Sequence, residues 1–175
     1  RLYAKKNLIN PDYGYNITFT GAAGNNFKGN DLFSQTRLDA KALYTFQKTH
    51  TRILTHGSLG YIIIDDLTNL PLSMQFYAGG AQSIRGFQYN SIGPGTELAI
   101  GSFELQQKII GKFYLGGFID AGNISDDIFE DKLKVGAGSS LIYLSPVGAI
   151  ELSFGKQMSN DSNVWMIQFS MGALL

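Results

Sequence analysis

Apolar side chains fall at every second position through most of this 175-residue chain, and that spacing leaves it few folds. Successive side chains of a β-strand point to opposite faces, so a period of two makes a ribbon with one apolar and one polar face. Tyr15, Ile17 and Phe19 alternate with Asn16, Thr18 and Thr20. Leu38, Ala40, Ala42, Tyr44 and Phe46 alternate with Arg37, Asp39, Lys41 and Thr45. Ile53, Thr55, Leu59 and Tyr61 lie opposite Arg52, His56 and Ser58. The pattern resumes after a Gly-rich segment, with Phe103 and Leu105 against Glu104 and Gln106, then Leu115 and Ile119 against Tyr114, Phe118 and Asp120. It continues through Leu133–Tyr143, Ala149–Phe154 and Trp165–Gly172. The count is about eight strands, each long enough to cross a bilayer at a tilt. No stretch has the period of a helix.

The remaining question is which face meets solvent. Hydrophobic residues make up 44% of the chain and charged residues only 16%, while Gly numbers 21 and Phe and Tyr together another 21. Few charges with many glycines and aromatics fit strands whose apolar face meets lipid. The longest apolar run, Leu59 to Ile64, is too short for a transmembrane helix. A membrane location therefore requires a closed barrel, in which every backbone group is paired. Connections alternate in length: Gln47–His50, Ile110–Gly111 and Ser145–Pro146 are short, whereas 22–33, 63–96, 122–132 and 156–163 are long. Short turns at one end and long loops at the other are the habit of outer-membrane barrels. The alternative is a soluble up-and-down barrel of the lipocalin kind, with its apolar face inward. Lys+Arg and Asp+Glu are both 14, which gives no basic patch for nucleic acid. Absence of Cys excludes disulfides and thiolate metal sites. No signal peptide precedes Arg1, which sits in strand-like sequence, so the expectation is a fragment of a longer protein.

The segment Gly79-Gly80-Ala81-Gln82-Ser83-Ile84-Arg85-Gly86-Phe87 places one cation in a glycine-rich loop. Glu104 and Asp120 stand on the polar faces of the next two strands, and a guanidinium held by carboxylates is strong and directional. On the residues alone, a solvated loop cation is the plainer reading of Arg85. A loop folded back into the barrel is the sharper one, with Gly79, Gly80 and Gly86 permitting close approach. Gly172 interrupts the last strand, where it either weakens pairing or makes room for a large neighbour. Trp165 and Phe169 share a face and read as lipid contacts, with Trp165 near the outer interface. Enzymatic signals are weak. His50 lies in a turn, His56 has no patterned Ser or Asp partner, and no nucleophile elbow is present. The pairs Asp65-Asp66 and Asp126-Asp127 read as solvated loop surface rather than a Ca²⁺ site. Gly136-Ala137-Gly138 is mid-strand and not a nucleotide loop.

The string Phe76 to Phe87, with its aliphatic-Arg-Gly-aromatic tetrad Ile84-Arg85-Gly86-Phe87, resembles the loop signature of the outer-membrane assembly (surface-antigen) superfamily, whose members are BamA- and TamA-like. Phe118-Ile119-Asp120-Ala121-Gly122 resembles its second signature. Ser145 to Ile150 resembles the turn before its penultimate strand. Gln168 to Leu175 resembles the TamA-like end, which closes on Leu. The likeness runs from about Phe76 to the C-terminus; upstream, only Asn10-Pro11-Asp12-Tyr13-Gly14 echoes a family turn.

The resemblance implies an all-β transmembrane antiparallel barrel of roughly sixteen strands. Residues 1–175 would supply its C-terminal half, with a lumen-folded loop over about 63–96 and without POTRA domains or N-terminal strands. It implies that Arg85, Gly86 and Phe87 anchor the loop on Glu104, Phe118 and Asp120. It also implies that Phe169, Gly172 and Leu175 belong to the seam. Arg85→Glu is expected to abolish function, and added Asp120→Arg to restore part of it. The implied work is insertion or translocation of outer-membrane proteins such as autotransporters in the bacterial outer membrane, with the lipid bilayer and a TamB-like inner-membrane-anchored protein as partners. No cofactor, metal, nucleic acid or covalent chemistry is implied. The alternatives are a two-partner-type secretion pore and the barrel of a fused hydrolase.

Overall fold

The structure, a computed structural model, describes residues 2–5, 10–25, 32–128, 131–159 and 164–173. Among them run the strands β1 (Leu2–Lys5), β2 (Tyr13–Asn25), β3 (Leu32–Phe46), β4 (Thr51–Ile63), β5 (Phe76–Ala78), β6 (Ile92–Gly95), β7 (Glu97–Ile110), β8 (Phe113–Ser125), β9 (Lys134–Ser145), β10 (Gly148–Gln157) and β11 (Trp165–Gly172). Nine form one antiparallel sheet in the order β1-β2-β3-β4-β7-β8-β9-β10-β11. The eight strands of the period-two pattern are all in it, most of them longer at their ends than the alternation alone marks. β1 adds a short ninth member. β2 runs to Asn25 and β3 starts at Leu32, so both ends of the loop expected over 22–33 are strand, and the rest of it lies outside the described residues.

Along β8, Phe113, Leu115 and Ile119 are exposed while Tyr114, Phe118 and Asp120 are buried. Large apolar groups thus point away from the concave side, and polar ones point into it. β2 repeats this with Tyr15, Ile17 and Phe19 outward, and β11 with Trp165, Ile167, Phe169 and Met171. The arrangement is inverted relative to a lipocalin and is that of a transmembrane wall. β1 and β11 stand at opposite ends of the order. Unpaired edge groups in hydrocarbon cost several kcal/mol each, so these two end strands are the costly positions of the wall.

The connection between β4 and β7 is not structureless. Asp66 caps a three-residue 3-10 turn at Leu67–Asn69, accepting from the Thr68 amide at 2.9 Å. β5 and β6 then pair as a hairpin, Phe76 opposite Gly95 and Ala78 opposite Ile92. Their side chains build the main apolar core: Phe76, Ile84, Phe87 and Ile92 from the loop pack on Ile62, Leu98, Ile100 and Ile124 of β4, β7 and β8. Phe76 reaches the sheet because Gly60 lacks a side chain; a Cβ there would lie 2.6 Å from the Phe76 ring. A smaller cluster of Tyr114, Ile142, Leu144 and Ala149 fills the short-turn end. Buried Arg52 lies 5.0 Å over the Tyr114 ring and donates to the Pro11 carbonyl at 3.0 Å. Asn10 donates to the Ser145 carbonyl at 3.0 Å, so residues before β2 cross the curl to the β9–β10 turn.

Candidate functional site

The loop tip closes on itself before it meets the wall. The Gly80 amide donates to the Phe87 carbonyl at 3.1 Å and the Ser83 amide to the Gly80 carbonyl at 3.2 Å. Gly79 and Gly80 have φ of 99° and 104°, and a Cβ on Gly79 would lie 2.2 Å from the Gln88 carbonyl oxygen. These two glycines therefore serve the return of the loop on itself rather than its approach to the wall. Gly86, with φ 89°, is the one that lies on the wall, where a Cβ would stand 3.0 Å from the backbone of Lys156.

This closure aims Arg85 into the sheet, where it is buried. Its Nε donates to Asp120 Oδ2 at 2.8 Å and its Nη2 to Asp120 Oδ1 at 2.9 Å, a bidentate fork. The Arg85 backbone amide donates to the same carboxylate at 2.9 Å. Nη1 donates to Glu104 and, at 2.9 Å, to Glu151 Oε1. Nη2 also reaches Ser102 Oγ at 3.4 Å. Each of the five guanidinium N–H groups thus has an acceptor. The Phe118 ring lies 3.6 Å beneath the guanidinium carbon, giving a cation–π contact in a desolvated place. The carboxylates are themselves held. Ser102 donates to Asp120 at 2.6 Å, and Gln106 and Ser140 each donate to Glu104 at 2.9 Å.

Two strand glycines make the seat. A Cβ on Gly136 would lie 1.8 Å from the Arg85 carbonyl oxygen, and one on Gly155 would lie 2.7 Å from the Gly86 nitrogen. The loop backbone rests directly on β9 and β10, as glycine inside a strand permits. From β11, Gln168 accepts from the Gly86 amide at 3.1 Å and donates to the Phe87 carbonyl at 2.8 Å.

Arg85, Gly86, Phe87, Glu104, Phe118 and Asp120 therefore converge on one buried place. Glu151, Gln168, Gly136 and Gly155 belong to it as well and were missed. Glu151 and Gln168 show only as polar members of alternating strands, and the glycines only as mid-strand gaps. Phe169 and Trp165 face outward, away from this place, with Lys156 Nζ 5.6 Å from the Trp165 ring. Gly172 has open space where a Cβ would stand, so it makes no room for a neighbour. Gly148 does that, its Cβ position lying 2.6 Å from the Gly172 carbonyl oxygen. Leu175 lies outside the described residues. His56 and Ser58 both face Asp39, and Ser58 donates to Asp39 at 2.8 Å rather than to the imidazole, so no nucleophile–base pair forms there. Asp126 accepts from the Thr96 amide and hydroxyl at 3.0 and 3.1 Å, bracing a loop.

The domain model of the Omp85 superfamily matches residues 4–173. The outer membrane protein assembly factor BamA of Nitratidesulfovibrio vulgaris is 23% identical over 179 residues, which cover 89% of this chain and 22% of that protein. The crystal structure of BamA from Haemophilus ducreyi lacking POTRA domains 1–3 aligns at a TM-score of 0.72 and 20% identity, over 95% of this chain and 39% of that one. The chain thus spans about a fifth of the length of the curated relative it matches. The match over nearly all its residues shows that the chain belongs to the Omp85 superfamily, and its place is the bacterial outer membrane.

Proposed function

We propose that this Omp85-superfamily chain is the loop-braced, C-terminal wall of an outer-membrane assembly factor, and that it works by letting client proteins enter the bilayer at a seam beside β11. The observation that carries this reading is the seated loop. Its core and its buried Arg85 cluster occupy the concave side next to β7–β10, which suits a lateral route better than an axial one. β11 is an eight-residue strand against twelve in β9, and β10 is its one partner among the described strands. A strand paired on one side only is a weak element of a wall, and strand pairing is what an entering client needs in hydrocarbon. A thinned bilayer beside the seam lowers the barrier further. The process calls for no covalent chemistry, so we read the protein as a non-enzyme.

Within that class, the likeness of the string Gln168–Leu175 to a TamA-like segment supports a TamA-like factor with autotransporters among its clients and a TamB-like inner-membrane-anchored partner. Both relatives named above are BamA proteins. Proteomics of the outer membrane and of secreted protein after depletion of the whole protein separates these readings. Loss of selected autotransporters is the expected result for a TamA-like factor. Loss of most barrel proteins marks a BamA-like one. Loss of one soluble secreted protein, with the membrane barrels intact, overturns the assembly reading in favour of a dedicated secretion pore.

A further inference from the structure

We infer that Gln168 is a positioning residue that latches the terminal strand β11 to the seated loop, so that loop anchoring and seam opening are one equilibrium. Gln168 stands on the concave face of β11, opposite Ser153 of β10. Its primary amide meets two consecutive residues of the loop backbone in complementary sense, Oε1 on the Gly86 N–H and Nε2 on the Phe87 carbonyl. Both loop residues are buried. The pairing is that of a strand ladder made by a side chain, and it gives β11 an attachment besides its ladder to β10.

The coupling follows from adjacency. Arg85, Gly86 and Phe87 are consecutive, and Arg85 is fixed to Asp120 of β8 and Glu104 of β7. When the loop lifts, Gln168 loses both partners at once. When β11 swings out, the Phe87 carbonyl keeps the Gly80 amide, but the Gly86 amide loses the acceptor that Gln168 supplied. A buried donor without an acceptor is costly, so the seated loop resists departure of the last strand. Gly155 and Gly86 hold the two backbones close enough for a side chain of this length to span the gap. The consequence for client entry rests on the assembly reading proposed above; the latch itself does not.

The test is amide hydrogen exchange on the whole protein in lipid vesicles, comparing residues 165–172 with residues 113–125. Gln168→Met keeps the length and removes both bonds. The expected result is exchange about tenfold faster in 165–172 with 113–125 unchanged, since a lost bond to a buried donor acts on the strand that carried it. In an Arg85→Ala background the same substitution should add nothing, because the loop is no longer seated. Unchanged exchange in 165–172, or an equal effect in both backgrounds, overturns the latch. Gln168→Glu retains the acceptor for Gly86 and loses the donor to Phe87; it should give a smaller change in the same strand. It carries the same test, with the same overturning result, if the Met variant does not assemble. Faster exchange with normal client insertion upholds the latch and removes only its consequence for client entry. Unchanged exchange with impaired insertion overturns the latch and leaves the assembly reading standing.

Discussion

Two arginine–aspartate forks lie on the concave face of the same sheet, and their bond lengths match. Arg37 Nε and Nη2 reach Asp39 at 2.8 and 2.9 Å; Arg85 Nε and Nη2 reach Asp120 at 2.8 and 2.9 Å. Their surroundings differ. The side chains of the first pair are 41% and 24% exposed, those of the second 6% and 0%. Arg37 and Asp39 share one strand and lie where the loop leaves an opening of about 320 Å³ lined also by Lys41 and His56. Arg85 and Asp120 are brought together from a loop and a strand, under a lid of packed backbone. Geometry alone therefore says little about what an ion pair contributes. The contribution depends on what the charge would meet if its partner were gone: water in one case, and other carboxylates and a phenyl ring in the other.

The largest expected effect comes from removing a partner in the dry region. Asp120→Ala leaves Arg85 with a buried, half-satisfied fork and should destabilise the folded barrel by about 3–5 kcal/mol. The urea dependence of the gel mobility of the folded whole protein measures it. The reversed pair, Arg85→Glu with Asp120→Arg, should recover little. Position 85 faces Glu104 and Glu151 as well as Asp120, so a glutamate there joins two carboxylates that remain. That revises the partial restoration which the sequence suggests from Asp120 alone.

The next effect separates glycines by what they touch. Gly136→Ala drives a methyl against the Arg85 carbonyl and should cost about 1–3 kcal/mol or unseat the loop. Gly101→Ala, in the middle of β7 with no atom within 4 Å of its Cβ position, should not destabilise and should add up to about 0.5–1 kcal/mol through strand preference. Limited proteolysis within residues 79–88 reports seating directly. Equal protection in the two variants would mean that the loop does not rest on β9.

These contrasts also mark how far the sequence could be read. The wall was legible because lipid on one side and a lumen on the other impose a period of two that Tyr15 to Phe19 or Phe103 to Leu105 display without help from tertiary structure. The anchor was legible in part. Arg85, Glu104 and Asp120 stand out as charges in an apolar chain, and the tetrad Ile84–Phe87 gives the loop a family. Glu151 and Gln168 did not stand out, because a polar residue facing the lumen looks the same in sequence whether water or a loop covers it. Asp39 and Asp120 have the same alternation, and only the path of residues 79–88 decides which becomes dry. Gly136 and Gly155 announce a close approach but not of what. The order of the loop between β4 and β7 was hidden for a similar reason: its hairpin strands are three and four residues long, too short for any period to show.

At the free edge the effect should be small and of opposite sign. Gly172→Ala meets no neighbour and has no positive φ to oppose it, so it should stabilise β11 by about 0.5–1 kcal/mol through the strand's own conformational preference. The seam reading adds that client insertion slows as the strand stiffens. Hydrogen exchange in 165–172 and insertion kinetics together check this. Slower exchange with unaltered insertion would separate the stiffness of β11 from the work of the protein.

The smallest effect tests the comparison itself. Arg37→Ala removes a fork as good in geometry as that of Arg85, yet its loss should cost about 0–1 kcal/mol, the range of pairs that water can replace. Asp39 keeps the Ser58 hydroxyl at 2.8 Å and gains solvent, so its charge remains supported. Added salt should weaken the wild-type pair and shrink the difference further, whereas it should leave the penalty of Asp120→Ala almost unchanged, because screening acts on charges that ions can approach. A salt-independent loss of several kcal/mol on removing Arg37 would mean that the opening beside β3 is dry in the membrane, and that the two forks differ in partners rather than in exposure to water.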